Sequence, residues 1–231
     1  MNPGLNGKSA SQASELVSLM RIKELEEQVS ATRTALVCAF NQLLDMKDLN
    51  TGYHCTRLAE WALRVGEEFS LGEELLADLE VAAMLHDIGK MGIPDAILLK
   101  PGRLTEEEYA VVKKHPEYGW AILRLFPGFK QAGLIVLHHH EAHDGSGYPG
   151  RLKGSQIPLE ARIVHVIDAF DAMVSNRPYR KGMPFEEAIN QLYKCSSTQF
   201  DPQVVECFTA ITRAEMTDVF AATGTSTSVV L

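Results

Sequence analysis

Apolar residues recur three and four positions apart through most of the chain, which is the spacing of amphipathic α-helices. The longest such run lies near the N-terminus, where neither Pro nor Gly occurs from residue 13 to residue 46. Its apolar positions follow a near-heptad pattern that includes Ile22, Leu25, Val29, Leu36 and Leu43. This pattern predicts one long helix over residues 13–46. The small and polar residues 1–12 before it are expected to be disordered.

The role of this helix has two interpretations that the sequence leaves open. The helix packs along its own domain, or it forms a short coiled-coil stalk that joins two copies of the chain or links it to a sensor domain. Thr32 and Ala39 fall on the apolar seam and weaken the coiled-coil interpretation.

The rest of the chain continues the helical spacing, with Gly and Pro in the intervening loops. Thr105 followed by Glu108 resembles a capping box, and Asp201 before Pro202 is typical of a helix start. We find no alternating strand pattern and predict an all-α helical bundle. One domain is expected over residues 47–213, with the end of the last helix and a tail over 214–231. The predicted helices cover residues 51–69, 72–90, 105–118, 119–126, 130–141, 158–175, 185–196 and 201–212.

Composition narrows the class of protein. The chain has 231 residues, which suits one main domain, and its net charge of −8 argues against binding to duplex nucleic acid. The four cysteines (Cys38, Cys55, Cys195 and Cys207) form no CxxC pair and indicate a reducing compartment. No signal peptide and no run of about 20 apolar residues is present. A cytoplasmic protein without a membrane span is therefore expected.

The histidines are the first candidates for chemistry. Five of the eight histidines lie between residues 138 and 165, and His138, His139 and His140 are consecutive. Several imidazoles buried without partners would be costly, and metal coordination is one of the few arrangements that satisfies them.

A second candidate is the segment in which an apolar helix meets His86 and Asp87, followed by Gly89 and Lys90. An imidazole and a carboxylate side by side can share a metal ion, and the second carboxylate oxygen can bridge to another. Gly89 leaves space for a close approach, and Lys90 offers a positive charge to a phosphate. The alternative is an exposed helix end with a capping aspartate.

A third candidate is the acid pair Asp168 and Asp171. Residues three apart lie on the same helix face, and the surrounding sequence is too apolar for a solvated face. At least one of the two carboxylates therefore needs a strong partner, either a metal ion or a buried Arg or Lys.

The order of these residues resembles a known family. His54, His86-Asp87 and Asp168 match the H…HD…D pattern of the HD phosphohydrolase superfamily. Five further segments resemble its HD-GYP family: HDIGKMGIPDAILLKPGRLTEEE (His86–Glu108), KKHPEYG (Lys113–Gly119), HHEAHDGSGYP (His139–Pro149), IPLEARI (Ile157–Ile163) and DAFDAMVSNRPYR (Asp168–Arg180). The resemblance covers residues 51–205. It implies an all-helical HD-GYP catalytic domain that hydrolyses cyclic di-GMP at a multi-metal site.

The resemblance also implies which residues form the site. It assigns to a first metal ion the ligands His54, His86, Asp87 and Asp168, and to a second metal ion the ligands Asp87, His115, His139 and His140. The two ions are expected to be iron or manganese, with zinc or nickel permitted by the ligand types. His138 is then expected in packing or beside the ligands, His143 in a loop and His165 in the core.

The residues that handle substrate are implied in the same way. Asp87 and Lys90 are the expected catalytic residues, because the first bridges the metals and the second holds a phosphate oxygen or orders the attacking water. Lys90, Arg177 and Arg180 are the expected phosphate-binding residues, the alternative for the two arginines being surface salt bridges. Tyr148, in the loop of residues 145–150, is expected to border the substrate pocket or simply to pack a turn.

One departure from the family pattern affects the expected product. Some members have a Glu four residues before the first His that helps to bind a third metal, and here that residue is Asn50. We therefore expect two metals, and ring opening to pGpG rather than complete hydrolysis to GMP.

Two other functions remain open. The chain could be a slow or inactive HD-GYP module that senses a nucleotide or contacts partner proteins, or another HD phosphohydrolase acting on a nucleotide. The choice between cyclic di-GMP and a mixed GMP–AMP messenger is also open. The expected partners are a cyclic dinucleotide, a second copy of the chain through the N-terminal helix, and a GGDEF-type protein.

Overall fold

The computed structural model describes residues 5–47, 53–176 and 181–223. These residues form ten α-helices, and their only β feature is an isolated bridge between Ser196 and Phe200. The prediction of an all-α bundle is therefore confirmed. The helices are α1 (Leu5–Lys47), α2 (Tyr53–Glu68), α3 (Glu73–Leu85), α4 (Asp95–Leu98), α5 (Glu106–Val112), α6 (His115–Leu123), α7 (Lys130–His138), α8 (Leu159–Val174), α9 (Phe185–Lys194) and α10 (Pro202–Thr223). Short 3₁₀ turns cover Ile88–Gly92, Pro127–Phe129 and Gly154–Gln156.

The N-terminal helix is longer than predicted. It begins at Leu5, so residues 5–12, which were expected to be disordered, are helical, while residues 1–4 lie outside the described part of the chain. The chain forms two compact units that divide after Ala39, inside α1 rather than at its end. The last turns of α1, from Phe40 onward, belong to the larger unit, and Phe40 packs edge-on against Phe126 there.

The core of the larger unit is built around α8, which buries most of its length, including Ile163, Val166 and Phe170. Three aromatic side chains tie α8 to its neighbours: Trp61 of α2, Phe170 of α8 and Phe208 of α10 meet edge to face. Their ring centroids lie 5.1–5.6 Å apart, the geometry that aromatic pairs prefer. This cluster fixes α2 and α8, two of the helices that carry residues of the candidate site.

Two of the predicted helices are interrupted beside residues of the candidate site. The helix predicted over 72–90 ends at Leu85, and a 3₁₀ turn follows. The helix predicted over 105–118 divides at residues 113–114, because Pro116 has no N–H to donate and suits the first turn of a new helix. The predicted capping box at its start is present, with Thr105 and Glu108 bonded reciprocally. The two breaks place His86 and His115 at helix ends.

Among the residues that the structure describes, no helix is both long enough and apolar enough to cross a membrane.

Candidate metal centre

Two groups of potential metal ligands meet inside the larger unit. The first cluster consists of His54, His86 and Asp168, and the second of His115, His139 and His140. Within each cluster, one ligand atom from every residue lies within 4.8 Å of the others. The first cluster joins α2, the end of α3 and α8, and the second joins the start of α6 to the end of α7. Sequence positions far apart are thus brought together as the HD-GYP resemblance implies.

Asp87 lies between the two clusters. Its Oδ2 is 3.4 Å from Nε2 of His86, and its Oδ1 is 3.4 Å from Nε2 of His115. One carboxylate therefore presents a different oxygen to each cluster, which is the arrangement of a bridging ligand. The ammonium group of Lys90, one turn further along the chain, is 2.7 Å from Oδ2 of the same carboxylate.

Three of the histidines are oriented by the same kind of hydrogen bond to the backbone. The Nδ1 atoms of His86, His115 and His139 each donate to the backbone carbonyl three residues earlier, at 2.9, 2.9 and 2.6 Å. Carbonyls at the end of a helix lack a partner within the helix, so they are free to accept these bonds. The bonds use up the Nδ1 proton and leave Nε2 facing the centre, as in many metal sites.

His54 is oriented instead by a side chain. Its Nδ1 contacts Oδ2 of Asp171, which is 1% exposed. The same carboxylate accepts from Arg57, with Nε at 2.7 Å from Oδ1, and from the Ser175 hydroxyl. Burial raises the pKa of Asp171, but His54 and Arg57 outweigh burial and hold the pKa below its ordinary value. The two acids thus have separate partners: Asp168 joins a histidine cluster, and Asp171 orients a histidine.

The electrostatics favour bound cations. Burial lowers the pKa values of His115, His139 and His140, so these imidazoles are neutral, the form that binds a metal. Burial also lowers the pKa of His86, yet the Asp87 and Asp168 carboxylates outweigh it and raise that pKa to about 9. The two carboxylates thus stabilise positive charge at His86, and a bound metal ion would take the place of its proton. Burial raises the pKa of Asp87, whereas Lys90 and His86 hold it well below its usual range.

Orphaned nitrogen atoms show that divalent metal ions would fit. Nε2 of His86 is buried and makes no hydrogen bond to any described residue. Nε2 of His115 lies 3.3 Å from Nε2 of His139, and both rings already donate through Nδ1. Two lone pairs therefore face each other, an arrangement that a shared cation satisfies. Mixed imidazole and carboxylate ligands suit first-row divalent metals.

The other predicted residues fall into three groups. The Tyr148 ring lies 5.0 Å from the His140 ring, at the edge of the second cluster. His138, His143 and His165 lie outside both clusters, and buried His165 donates through Nδ1 to the Glu141 carbonyl. The predicted phosphate contacts Arg177 and Arg180, and the residue at the third-metal position, Asn50, lie outside the described residues.

Glu141 is a residue that the sequence reasoning missed. Its buried carboxylate accepts from the backbone N–H groups of Gly150 at 2.5 Å and Leu152 at 3.0 Å. Gly147 packs so closely on this segment that a Cβ there would overlap the backbone nitrogen of Ala142. The loop that carries Tyr148 is thus fastened to the chain immediately after the His pair. An acid beside two histidines and before a Gly-rich loop was the available signal.

Comparison with known proteins agrees with this geometry. The family model described as HD domain matches residues 38–204. The chain belongs to the HD domain family. It is 44% identical over 182 residues to a cyclic di-GMP phosphodiesterase of Thermotoga maritima, covering 78% of this chain and 49% of the relative. It is 44% identical over 190 residues to the cyclic di-GMP phosphodiesterase response regulator RpfG of Xanthomonas campestris pv. campestris, covering 81% and 49%. These relatives confirm the HD-GYP assignment.

A solved structure supports the HD-domain fold. The cyclic GMP-AMP specific phosphodiesterase V-cGAP3 of V. cholerae matches with a TM-score of 0.61 at 21% identity, over 77% of this chain and 48% of that one. The chain spans about half the length of the curated relatives that it matches.

Proposed function

We propose that this chain is a metal-dependent phosphodiesterase that hydrolyses cyclic di-GMP. The observation that carries the proposal is the position of Asp87, which turns one oxygen toward each of two histidine-rich clusters. The names of the relatives at 44% identity support the same substrate. A mixed GMP–AMP messenger is the second candidate substrate.

The proposed site holds two divalent ions, iron or manganese by preference and zinc or nickel as alternatives. One ion takes His54, His86, Asp87 and Asp168 as ligands, and the other takes Asp87, His115, His139 and His140. When bound, such a pair neutralises phosphate charge and lowers the pKa of an attacking water.

The protein's own groups position and balance this charge. Asp87 faces both clusters, with one oxygen toward His86 and the other toward His115. Lys90, whose ammonium is 2.7 Å from Asp87, keeps that carboxylate ionised and adds a positive charge beside a bound phosphate. Asp171 and the helix-end carbonyls fix the imidazoles, so that no ligand has to reorient when substrate binds. Arg177 and Arg180 are proposed phosphate contacts, and Tyr148 borders the pocket.

The direct test is turnover by the whole chain. The protein is purified anaerobically and loaded with ferrous iron or manganese. Cyclic di-GMP and the mixed GMP–AMP messenger are then followed separately by chromatography. We expect metal-dependent conversion of cyclic di-GMP to pGpG, with little GMP because Asn50 replaces a metal-binding carboxylate. Binding of cyclic di-GMP without turnover, at full metal content, would instead support the nucleotide-sensing module.

The N-terminal helix supports a further part of the proposal, a homodimer. Seven large apolar side chains on α1 are between 44% and 68% exposed: Leu16, Val17, Leu19, Met20, Ile22, Leu25 and Val29. A second copy offers the same near-heptad face and buries both sets. We expect sedimentation equilibrium to give a dimer, and Leu25→Glu to give a monomer. A monomeric wild-type chain at high micromolar concentration would contradict the dimer.

A GGDEF-type protein partner and a cytoplasmic location stay predictions of the family resemblance and of the free cysteines. Affinity capture with the intact chain and fractionation of the source cells test them.

A further inference from the structure

One lysine and two tyrosines form a cluster beside the second group of histidines. The Nζ atom of Lys113 lies 4.6 Å from the ring centroid of Tyr109 and 5.7 Å from that of Tyr148. The Tyr148 ring in turn lies 5.0 Å from the ring of His140. The cluster is therefore continuous with the candidate metal centre, although none of its members is among the proposed metal ligands.

The backbone fixes where this lysine stands. Lys113 directly follows α5 and lies in the break between α5 and α6, and its N–H donates to the Tyr109 carbonyl at 3.0 Å. His115 follows two residues later and turns into the second cluster. The break that orients His115 thus also sets Lys113 at the edge of the site.

The charge of Lys113 is balanced by no carboxylate among the described residues. Lys90 and Lys100, in contrast, form ion pairs with Asp87 and Glu108. Lys113 is half-buried and has the faces of two aromatic rings, which attract a cation weakly. A partly desolvated ammonium without a counter-charge is suited to an anionic ligand.

The proposed substrate has a second phosphate that is available to bind Lys113. A cyclic dinucleotide has two phosphodiesters on opposite sides of one ring, and only one of them can be at the metal centre in a given turnover. Lys90, held on Asp87, stands at that centre, so the other phosphate needs cations elsewhere on the rim, and Lys113 would serve there in addition to the proposed contacts Arg177 and Arg180. We propose that Lys113 binds the phosphate that is not being cleaved and that Tyr109 positions its ammonium group. This inference rests on the proposed function.

The test compares Lys113→Gln with Lys114→Gln, a change at the adjacent, exposed lysine. Two substrates are used with the metal-loaded chain: cyclic di-GMP and bis(p-nitrophenyl) phosphate, a small phosphodiester with no second phosphate. We expect Lys113→Gln to raise KM for cyclic di-GMP about tenfold, the usual cost of losing a hydrogen bond to a charged group. Its kcat, its metal content and its hydrolysis of the small diester should match the wild type. Lys114→Gln should leave all four quantities unchanged.

Inhibition of small-diester hydrolysis by cyclic di-GMP separates this inference from the proposed function. An inhibition constant raised about tenfold by Lys113→Gln supports the subsite even if cyclic di-GMP is not turned over. Equal values of KM and of the inhibition constant in wild type and variant would overturn it. Equal losses on both substrates with a lower metal content would also overturn it, because Lys113 would then act through His115.

Discussion

Replacing Asp87 by alanine is expected to remove both metal ions and to lower kcat/KM for cyclic di-GMP at least about a thousandfold. The carboxylate stands 3.4 Å from His86 Nε2 through one oxygen and 3.4 Å from His115 Nε2 through the other, so its loss weakens both clusters at once. Elemental analysis of the purified variant measures the metal content. A cooperative thermal transition shows that the variant is folded.

Asp168→Ala is the matched control, because it removes a carboxylate from one cluster only. Asp168 lies with His54 and His86, and the three histidines of the other cluster do not depend on it. We expect this variant to keep one metal ion per chain. An Asp87→Ala protein that still binds two metal ions would refute the bridging role. A protein that loses one ion would assign Asp87 to a single cluster.

The helical bundle could be predicted because the sequence signals that form its helices are local. Apolar spacing, the Thr105–Glu108 capping box and the prolines at helix starts act within one or two turns, and the helices follow them closely. The extension of α1 back to Leu5 was not predicted, because residues 5–12 lack the apolar periodicity that was used as the signal. A helix that is already formed extends into such a segment at little cost, since each further residue adds a hydrogen bond.

The residues that meet at the candidate site could be predicted from the sequence, but the groups that orient them could not. Residues His54, His86, Asp87 and Asp168 carry a pattern that can be read along the chain, and the structure brings their side chains together. Asp171, which orients His54, is 117 residues away in the sequence, and no pattern along the chain indicates that the two side chains meet. Asp171 was recognised only as an acid that needed a metal ion or a buried base. Its partners, Arg57 and His54, come from another helix.

Gly89→Ala is expected to lower the free energy of unfolding substantially. Gly89 is buried in the 3₁₀ turn after His86, and a Cβ there would overlap the His115 carbonyl oxygen and come within 2.5 Å of the Gly119 nitrogen. Both obstacles are backbone atoms of α6 and cannot rotate away. We expect a loss of about 3 kcal/mol, the upper part of the usual range for overpacking, and a fall in Tm of about 10 °C. Thermal unfolding followed by circular dichroism measures both.

Gly128→Ala is the matched control, because a Cβ at Gly128 would meet nothing within 4 Å. It should unfold at the wild-type temperature. A Gly89→Ala protein with the same Tm as this control would show that the turn and α6 are not in close contact.

Gly89→Ala should also affect the two metal clusters differently. Asp87 and His86 lie just before the turn, and His115 lies across the contact at which the added Cβ would push. Moving the turn away from α6 therefore lengthens the distance between Asp87 Oδ1 and His115 Nε2, now 3.4 Å, and leaves Oδ2 facing His86. We expect Gly89→Ala to retain the ion of the first cluster and to lose that of the second. Since the overlap involves only backbone and Cβ, the loss of stability should persist after metal is removed with a chelator. A deficit that disappears on chelation would mean that the glycine acts through the metals and not through packing.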